Sequence, residues 1–255
     1  KDREIFFEER SLDIRSRHAK WSRTVFLQEP NIKESPGTLR DYHNLDWIID
    51  AEAGTRSMTQ LVAKRILSGM ARRELKDAFA FLHRVRNALH YQDKGNDILT
   101  LRFQGILANE FGYPNKSILR RIEAFMRDYY THARNVHNHT KSVFEIFELQ
   151  HSEEKEAGLR SKLTFGLLKK KPKSLDDYTI RNGRLFPRRK EIFTENPNRL
   201  IRLFSYCQQY QVRPSPSLRK LIKEHWDLID HSFRLRQENR EAFREILERK
   251  GQVAS

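Results

Sequence analysis

Between Ile118 and Phe147 the apolar residues return every third or fourth position: Ile118, Ile122, Phe125, Tyr129, Ala133, Val136, Thr140, Phe144 and Phe147. Steps of three and four keep side chains on one helical face. The pattern predicts one helix from about Lys116 to about Leu149. It would cross roughly 50 Å at 1.5 Å per residue. An element that long cannot bury its apolar stripe alone. Other helices must lie along it, which makes it the expected central mast of a bundle.

The flanking sequence supplies those helices. Residues 2–21 read as a charged helix with Ile5, Leu12 and Ile14 as its apolar positions. A second helix starts after Gly37, with Leu39, Leu45, Ile48 and Ile49 inward and Thr38 and Asp41 in a capping-box pattern. Residues 58–69 and 72–91 read as helices, the latter through Leu75, Phe79, Leu82, Val85 and Leu89. Leu101 to Phe111 is helical up to the stop at Gly112-Tyr113-Pro114. Thr24-Val25-Phe26-Leu27 reads as extended.

After the mast the character changes. Glu153-Glu154-Lys155-Glu156 and Lys169-Lys170-Lys171-Pro172-Lys173 mark residues 151–174 as a solvated linker. Tyr178-Thr179-Ile180-Arg181, Asn182-Gly183 and Arg184-Leu185-Phe186 form a hairpin signal, because Asn-Gly suits a turn with positive φ at both central residues. Asn196-Pro197 and Ser215-Pro216 open helices, each pairing a cap with a first-turn proline. A last charged helix covers Asn239 to Lys250. The expected fold class is all-α: a helical bundle with one very long helix, plus a small β-hairpin before a C-terminal helical segment. The expected domains are 1–150, with a loop at 28–41 that faces phosphate, the linker 151–174, and 175–255.

Composition narrows the function. Charged residues make up 33% and hydrophobic ones 38%, which suits a thin-layered helical protein. Sixteen Phe and eight Tyr argue against wholesale disorder. A net charge of +15 points to polyanionic partners: nucleotide phosphates, nucleic acid or an acidic protein face. The single cysteine, Cys207, excludes an internal disulfide and reads as a packed small hydrophobe. No apolar run is long enough to span a bilayer, so no membrane is expected and the cytoplasm is the expected location. The chain begins at Lys1 rather than Met, as a fragment would.

Familiar catalytic signatures are missing. There is no P-loop, no Rossmann glycine fingerprint and no nucleophile elbow. The ten histidines give no ligand set. His137 and His139 are two apart and point to different faces of the helix that also carries His132. His83 and His90 share a face, without a carboxylate at ligand spacing. They read as surface or packed residues, and no metal ligand is assigned.

The loop at 28–41 stands apart. Two carboxylates, Glu29 and Asp41, flank two cations, Lys33 and Arg40, around a Pro36-Gly37 turn that delivers a helix N-terminus. Free N–H groups and the positive end of a helix dipole favour phosphate. The segment Glu29-Pro30-Asn31-Ile32-Lys33-Glu34-Ser35-Pro36-Gly37-Thr38-Leu39-Arg40-Asp41 resembles the E-P-N-[IV]-K-x-[SG]-P-G-G-L-R-D signature of bacterial PII uridylyltransferases, the bifunctional uridylyltransferase/uridylyl-removing enzymes. Further blocks are similar to that family: Leu82 to His90, Asp97 to Gln104, Phe125 to Tyr130 with Ala133-Arg134, the hairpin Tyr178 to Phe186, and Pro197 to Leu247. The resemblance runs nearly end to end but covers only the middle of the family's long chain. Thr38 replaces the usual second Gly, which adds a side chain where the backbone would approach a phosphate.

The resemblance implies a helical domain supporting nucleotidyl transfer from an NTP, with UTP expected, to a PII-type acceptor protein. It implies Mg²⁺ held mainly by a nucleotidyltransferase core outside this chain, and a phosphohydrolase domain beyond it. It places Lys33 and Arg40 on triphosphate oxygens and Glu29 and Asp41 in support of metals or cations, with Arg86, His90 and Arg134 as further phosphate-side candidates bracing the loop. The isolated chain, without the Gly-Ser and paired-Asp motifs, is expected to be inactive. Two other readings stand beside this one. A non-catalytic basic module would bind an acidic protein or, less expectedly, nucleic acid. A glutamine synthetase adenylyltransferase-type protein, of a related family with a similar turn, is the other, and the Glu29-Pro30-Asn31 prefix favours the uridylyl branch.

Overall fold

The computed structural model describes residues 2–114, 116–162 and 173–249. The chain divides into two compact units, Lys1–His151 and Ser152–Ser255. Among the described residues it is mostly α-helical, with eleven α-helices and one small four-stranded sheet.

The first unit carries α1 (Asp2–Lys20), α2 (Leu39–Ala53), α3 (Met58–Ala63), α4 (Gly69–Gln92), α5 (Leu101–Glu110) and the start of α6 (Ile118–Lys162). Most of the stripe read from the sequence is the seam of its core, but Ile118 is exposed, Ile122 and Phe144 are only partly buried, and Val143 rather than Phe144 turns inward. Phe125, Tyr129, Ala133, Val136, Val143 and Phe147 on α6 are all buried, against Leu45, Ile48, Ile49, Leu75, Leu82, Val85 and Leu89. Fully burying one such aliphatic or aromatic side chain contributes about 1.5–3 kcal/mol, so the stripe is a substantial part of the unit's stability. Local chemistry sets the ends. Ser68 accepts from the Ala71 N–H to start α4, and Gly54 in the left-handed region closes α2.

Three expectations need correction here. α1 exposes Ile5 and Leu12 and buries Phe7 and Arg17 instead. An Arg turned inward requires a buried anion, which a pattern of apolar residues does not reveal. Thr24 to Leu27 is irregular, and an antiparallel bridge forms nearby between Asn31 and Ile98. α6 passes Leu149 and runs to Lys162, into the stretch expected to be linker. Glu, Lys, Ala and Arg are good helix formers, so dense charge alone does not end a helix. The rest of that stretch, 163–172 with most of its lysine run, lies outside the described residues.

The second unit builds a sheet in the order β1 (Lys173–Leu175), β2 (Tyr178–Arg181), β3 (Arg184–Pro187) and β4 (Arg213–Pro214). The β2–β3 hairpin is the one expected, with Asn182 and Gly183 both at positive φ. β4 pairs parallel to β3 after a helical crossover through α7 (Ile192–Glu195) and α8 (Arg199–Tyr210). α9 (Pro216–Glu224), α10 (His231–Leu235) and α11 (Gln237–Glu248) follow. Tyr178, Leu185, Phe193, Leu203, Leu218 and Phe233 share this unit's core. Ser215 caps α9 through the Leu218 N–H with Pro216 in its first turn, as expected. Asn196-Pro197 does not open α8. The Asn196 carboxamide accepts from the Asn198 N–H in a local turn, and the helix starts at Arg199. Cys207 is partly buried, and loss of solvation pushes its thiol up to about 11, so it packs rather than reacts.

Candidate functional site

The loop between α1 and α2 is fixed first by its own side chains. The Asn31 carboxamide oxygen accepts from the Lys33 and Glu34 N–H groups at 2.9 and 2.7 Å, and Ser35 Oγ accepts from the Asn31 N–H at 2.9 Å. Short polar side chains bonding nearby backbone make such turns rigid. Gly37 then takes φ +77°. A Cβ at Gly37 would overlap the Ala133 carbonyl oxygen of α6 and stand 2.8 Å from the Ala133 carbonyl carbon. Only glycine lets the loop lie against the α6 backbone in this way, and Ala133 is the small residue on the facing side.

The start of α2 is not a free anion site. The Gly37 N–H donates to Asp41 Oδ2 at 2.6 Å. The N–H groups of Thr38, Leu39, Arg40 and Asp41 donate to the carbonyls of Ser35, Ile32, Lys33 and Thr38. The dipole end is therefore already satisfied from within, against the sequence expectation. The capping box does not form either: the Thr38 hydroxyl donates to the Ser35 carbonyl at 2.6 Å. Thr38 is fully buried, so its side chain does not obstruct an approach from solvent.

The rest of the unit stitches the loop in place. Tyr130 Oη donates to the Leu27 carbonyl and Gln104 Nε2 to the Gln28 carbonyl, at 2.9 and 2.7 Å. The Ile32 N–H donates to the Asp97 carbonyl, and the Leu99 N–H to the Pro30 carbonyl. From α1, Arg17 Nη1 donates to the Glu34 carbonyl at 3.0 Å and Arg17 Nη2 to Asp41 Oδ1. His18 Nε2 lies 2.8 Å from Asp41 Oδ2.

These contacts sort the sequence candidates. Asp41 is fully buried, and its two oxygens are held by Arg17, His18 and the Gly37 N–H. Burial works to raise its pKa, but the hydrogen bond and charge of His18, with Arg17, outweigh that and hold it below the ordinary carboxylate value. Glu29 Oε1 accepts from the Leu101 N–H at 2.8 Å and so caps α5. Lys33 and Arg40 are partly exposed and share one counter-ion, Glu34, at 4.0 and 3.2 Å. Arg86 and His90 both hold Asp97, at 2.7 and 2.8 Å. The desolvated Asp97 carboxyl is still kept low by those two bonds, and its carbonyl pins Ile32, so the pair braces the loop from behind.

Arg40 and Arg86 converge on one edge. Burial lowers the pKa of His43, and the charges of Arg40 and Arg86 lower it further. His83, 6.5 Å from His43 ring to ring, is lowered by burial, by His43 and by Arg86. Arg134 does not join this edge. It is exposed on α6 and lines an open cavity of about 490 Å³ with Phe26, Met126, Arg127 and Tyr130. Sequence reasoning missed Arg17, His18, Tyr130 and Gln104. Their partners lie 24, 23, 103 and 76 residues away, and the one available signal was an Arg-His pair ending a charged helix beside a loop.

Residues 5–144 match the family described as GlnD PII-uridylyltransferase, and residues 178–255 match the uridylyltransferase GlnD third domain. The first match alone spans more than half of the chain. The chain belongs to the GlnD uridylyltransferase family. It is 31% identical over 86% of its length to a bifunctional uridylyltransferase/uridylyl-removing enzyme of Rhodospirillum rubrum, covering 23% of that protein. It is 30% identical over 95% of its length to the enzyme of the same description from Nitrosococcus oceani, covering 26% of it. A shorter match of 37% identity, with the same description, comes from Methylococcus capsulatus and covers 56% of this chain and 16% of that one. The chain thus spans about a quarter or less of the length of these GlnD relatives. No solved structure matches it. No helix among the described residues is long and apolar enough to cross a membrane.

Proposed function

We propose that this chain is the helical domain that frames the nucleotide side of a GlnD-type uridylyltransferase, and that Lys33 and Arg40 face the triphosphate. One observation carries the reading. Two partly exposed cations share a single carboxylate, Glu34, on a loop whose backbone is bonded to itself and to the Asp97–Leu99 segment, and held by Arg17, Gln104 and Tyr130 from three helices. One positive charge is left over, held in place before any ligand arrives. A preorganised cation costs no reorganisation when charge develops on a transferring phosphoryl group. Arg86, at the same edge, would add to that field while holding the loop through Asp97.

Glu29 and Asp41 act in this reading as positioning residues. One caps α5 and the other is buried among Arg17, His18 and the Gly37 N–H, so the loop offers no pair of exposed carboxylates to a magnesium ion. Magnesium would be held by residues outside this chain, where it would neutralise the triphosphate and help activate the acceptor hydroxyl. The substrate would be UTP, after the uridylyltransferase activity in the relatives' names, and the acceptor a PII-type protein, after the family's description. Transfer itself would need the nucleotidyltransferase core of a longer chain, with a phosphohydrolase domain as a further neighbour.

The test uses the full-length protein. Lys33→Ala and Arg40→Ala should each lower kcat/KM for uridylyl transfer more than tenfold, about 1.4 kcal/mol of barrier, with the melting temperature unchanged. Transfer retained within tenfold in both variants would remove the phosphate role.

A further inference from the structure

We propose that His18, Asp41 and His137 form a binding site for one divalent transition-metal ion of the zinc class. The three side chains come from α1, α2 and α6, and each offers one ligand atom within 4.8 Å of the other two. His18 Nε2 already lies 2.8 Å from Asp41 Oδ2, and the His137 ring centre is 5.5 Å from that of His18. Two imidazoles and a carboxylate suit zinc, cobalt or nickel and leave a fourth position open.

Two further observations point to an occupant. An open cavity of about 310 Å³ is lined by these three residues and by Thr140, one turn along α6 from His137. Thr140 is 4% exposed, and its hydroxyl has no hydrogen-bond partner. A buried hydroxyl facing a polar cavity would be satisfied by a water on the open coordination position. His137 is also unclaimed: no hydrogen bond to its ring nitrogens exists among the described residues.

The ion would replace the proton that now bridges His18 Nε2 and Asp41 Oδ2. Asp41 would keep the Arg17 bond on Oδ1 and the Gly37 N–H on Oδ2. Arg17 opposes a second positive charge at this carboxylate and weakens the site. Because Asp41 also holds Gly37, an ion here would tie the 28–41 loop to α1 and α6 directly.

The 255-residue chain, freed of metal by chelation, is titrated with Co²⁺ and Zn²⁺ alone. The expected result is one equivalent bound, with a Co²⁺ visible spectrum of a four- or five-coordinate nitrogen/oxygen site. His137→Gln should weaken binding at least tenfold, and His139→Gln, at the separate Glu74 pair, should leave it unchanged. No saturable binding, or equal binding by His137→Gln, overturns the site. Zinc-edge X-ray absorption on the unmodified chain does not depend on how a variant folds. It should show two imidazoles and oxygen ligands at about 2.0–2.2 Å. A shell with no imidazole or with more than two overturns the proposal equally.

Discussion

Gly37→Ala tests the contact on which the loop's position depends. Two costs arise. The first is conformational: a residue with a Cβ at φ +77° is disfavoured by roughly 1–2 kcal/mol. The second is steric. The new methyl would meet the Ala133 carbonyl group, with its carbon 2.8 Å away, and Val25 Cγ1 at 3.2 Å. The oxygen and carbon belong to the backbone of a packed helix and cannot swing aside, so overpacking adds about 1–3 kcal/mol. The expected total is about 2–5 kcal/mol. At about 2–4 °C per kcal/mol for a domain of this size, the unit's melting temperature should fall by roughly 4–20 °C. Gly54→Ala is the control, because Gly54 has φ +64° and nothing within 4 Å of its Cβ position. It carries the conformational cost alone. Thermal unfolding of both variants by far-ultraviolet circular dichroism separates the two costs. If Gly37→Ala melts no lower than Gly54→Ala, the loop does not rest on α6 at Ala133 and the reasoning fails.

Two further predictions concern buried and braced carboxylates. Asp41→Asn keeps the shape but leaves the inward-facing Arg17 with only Glu34 Oε2, 3.9 Å away, as its anion. It should cost about 3–5 kcal/mol, measured by urea unfolding, and a cost below about 1 kcal/mol would mean that Arg17 finds another partner. Asp97 has a folded-state pKa below its ordinary 3.8, so its contribution is present above pH 3.8 and is lost as pH falls through the lower folded value. The midpoint of thermal unfolding should therefore drop less steeply below pH 4 in Asp97→Asn than in the wild type, and parallel curves would show that Arg86 and His90 do not stabilise the charged form.

Legibility in the sequence followed the range of the interactions. The α6 stripe, the inward face of α2, the Ser215-Pro216 helix start and the Asn182-Gly183 hairpin were readable, because each depends on residues a few positions apart. The same local rules misplaced other features. They read Thr38 as a cap, although its hydroxyl turns to Ser35, and they ended α6 at Leu149. They also picked out Ile5, Leu12 and Ile14 on α1, when α1 in fact sends Arg17 inward to a carboxylate 24 residues along the chain.

The sequence by itself determined that this chain is a helical bundle with a small β element, and that residues 29–41 carry the family's signature. Periodicity and turn chemistry are short-range, and they survive in the linear pattern. Only the tertiary structure decided what the signature residues do. Asp41 and Glu29 are engaged by partners brought from α1 and α5, the first-turn N–H groups of α2 are already satisfied, and Lys33 and Arg40 are left sharing one anion at a partly exposed edge. Which charges end up neutralised depends on long-range neighbours, and a buried carboxylate and an exposed one look the same in the sequence.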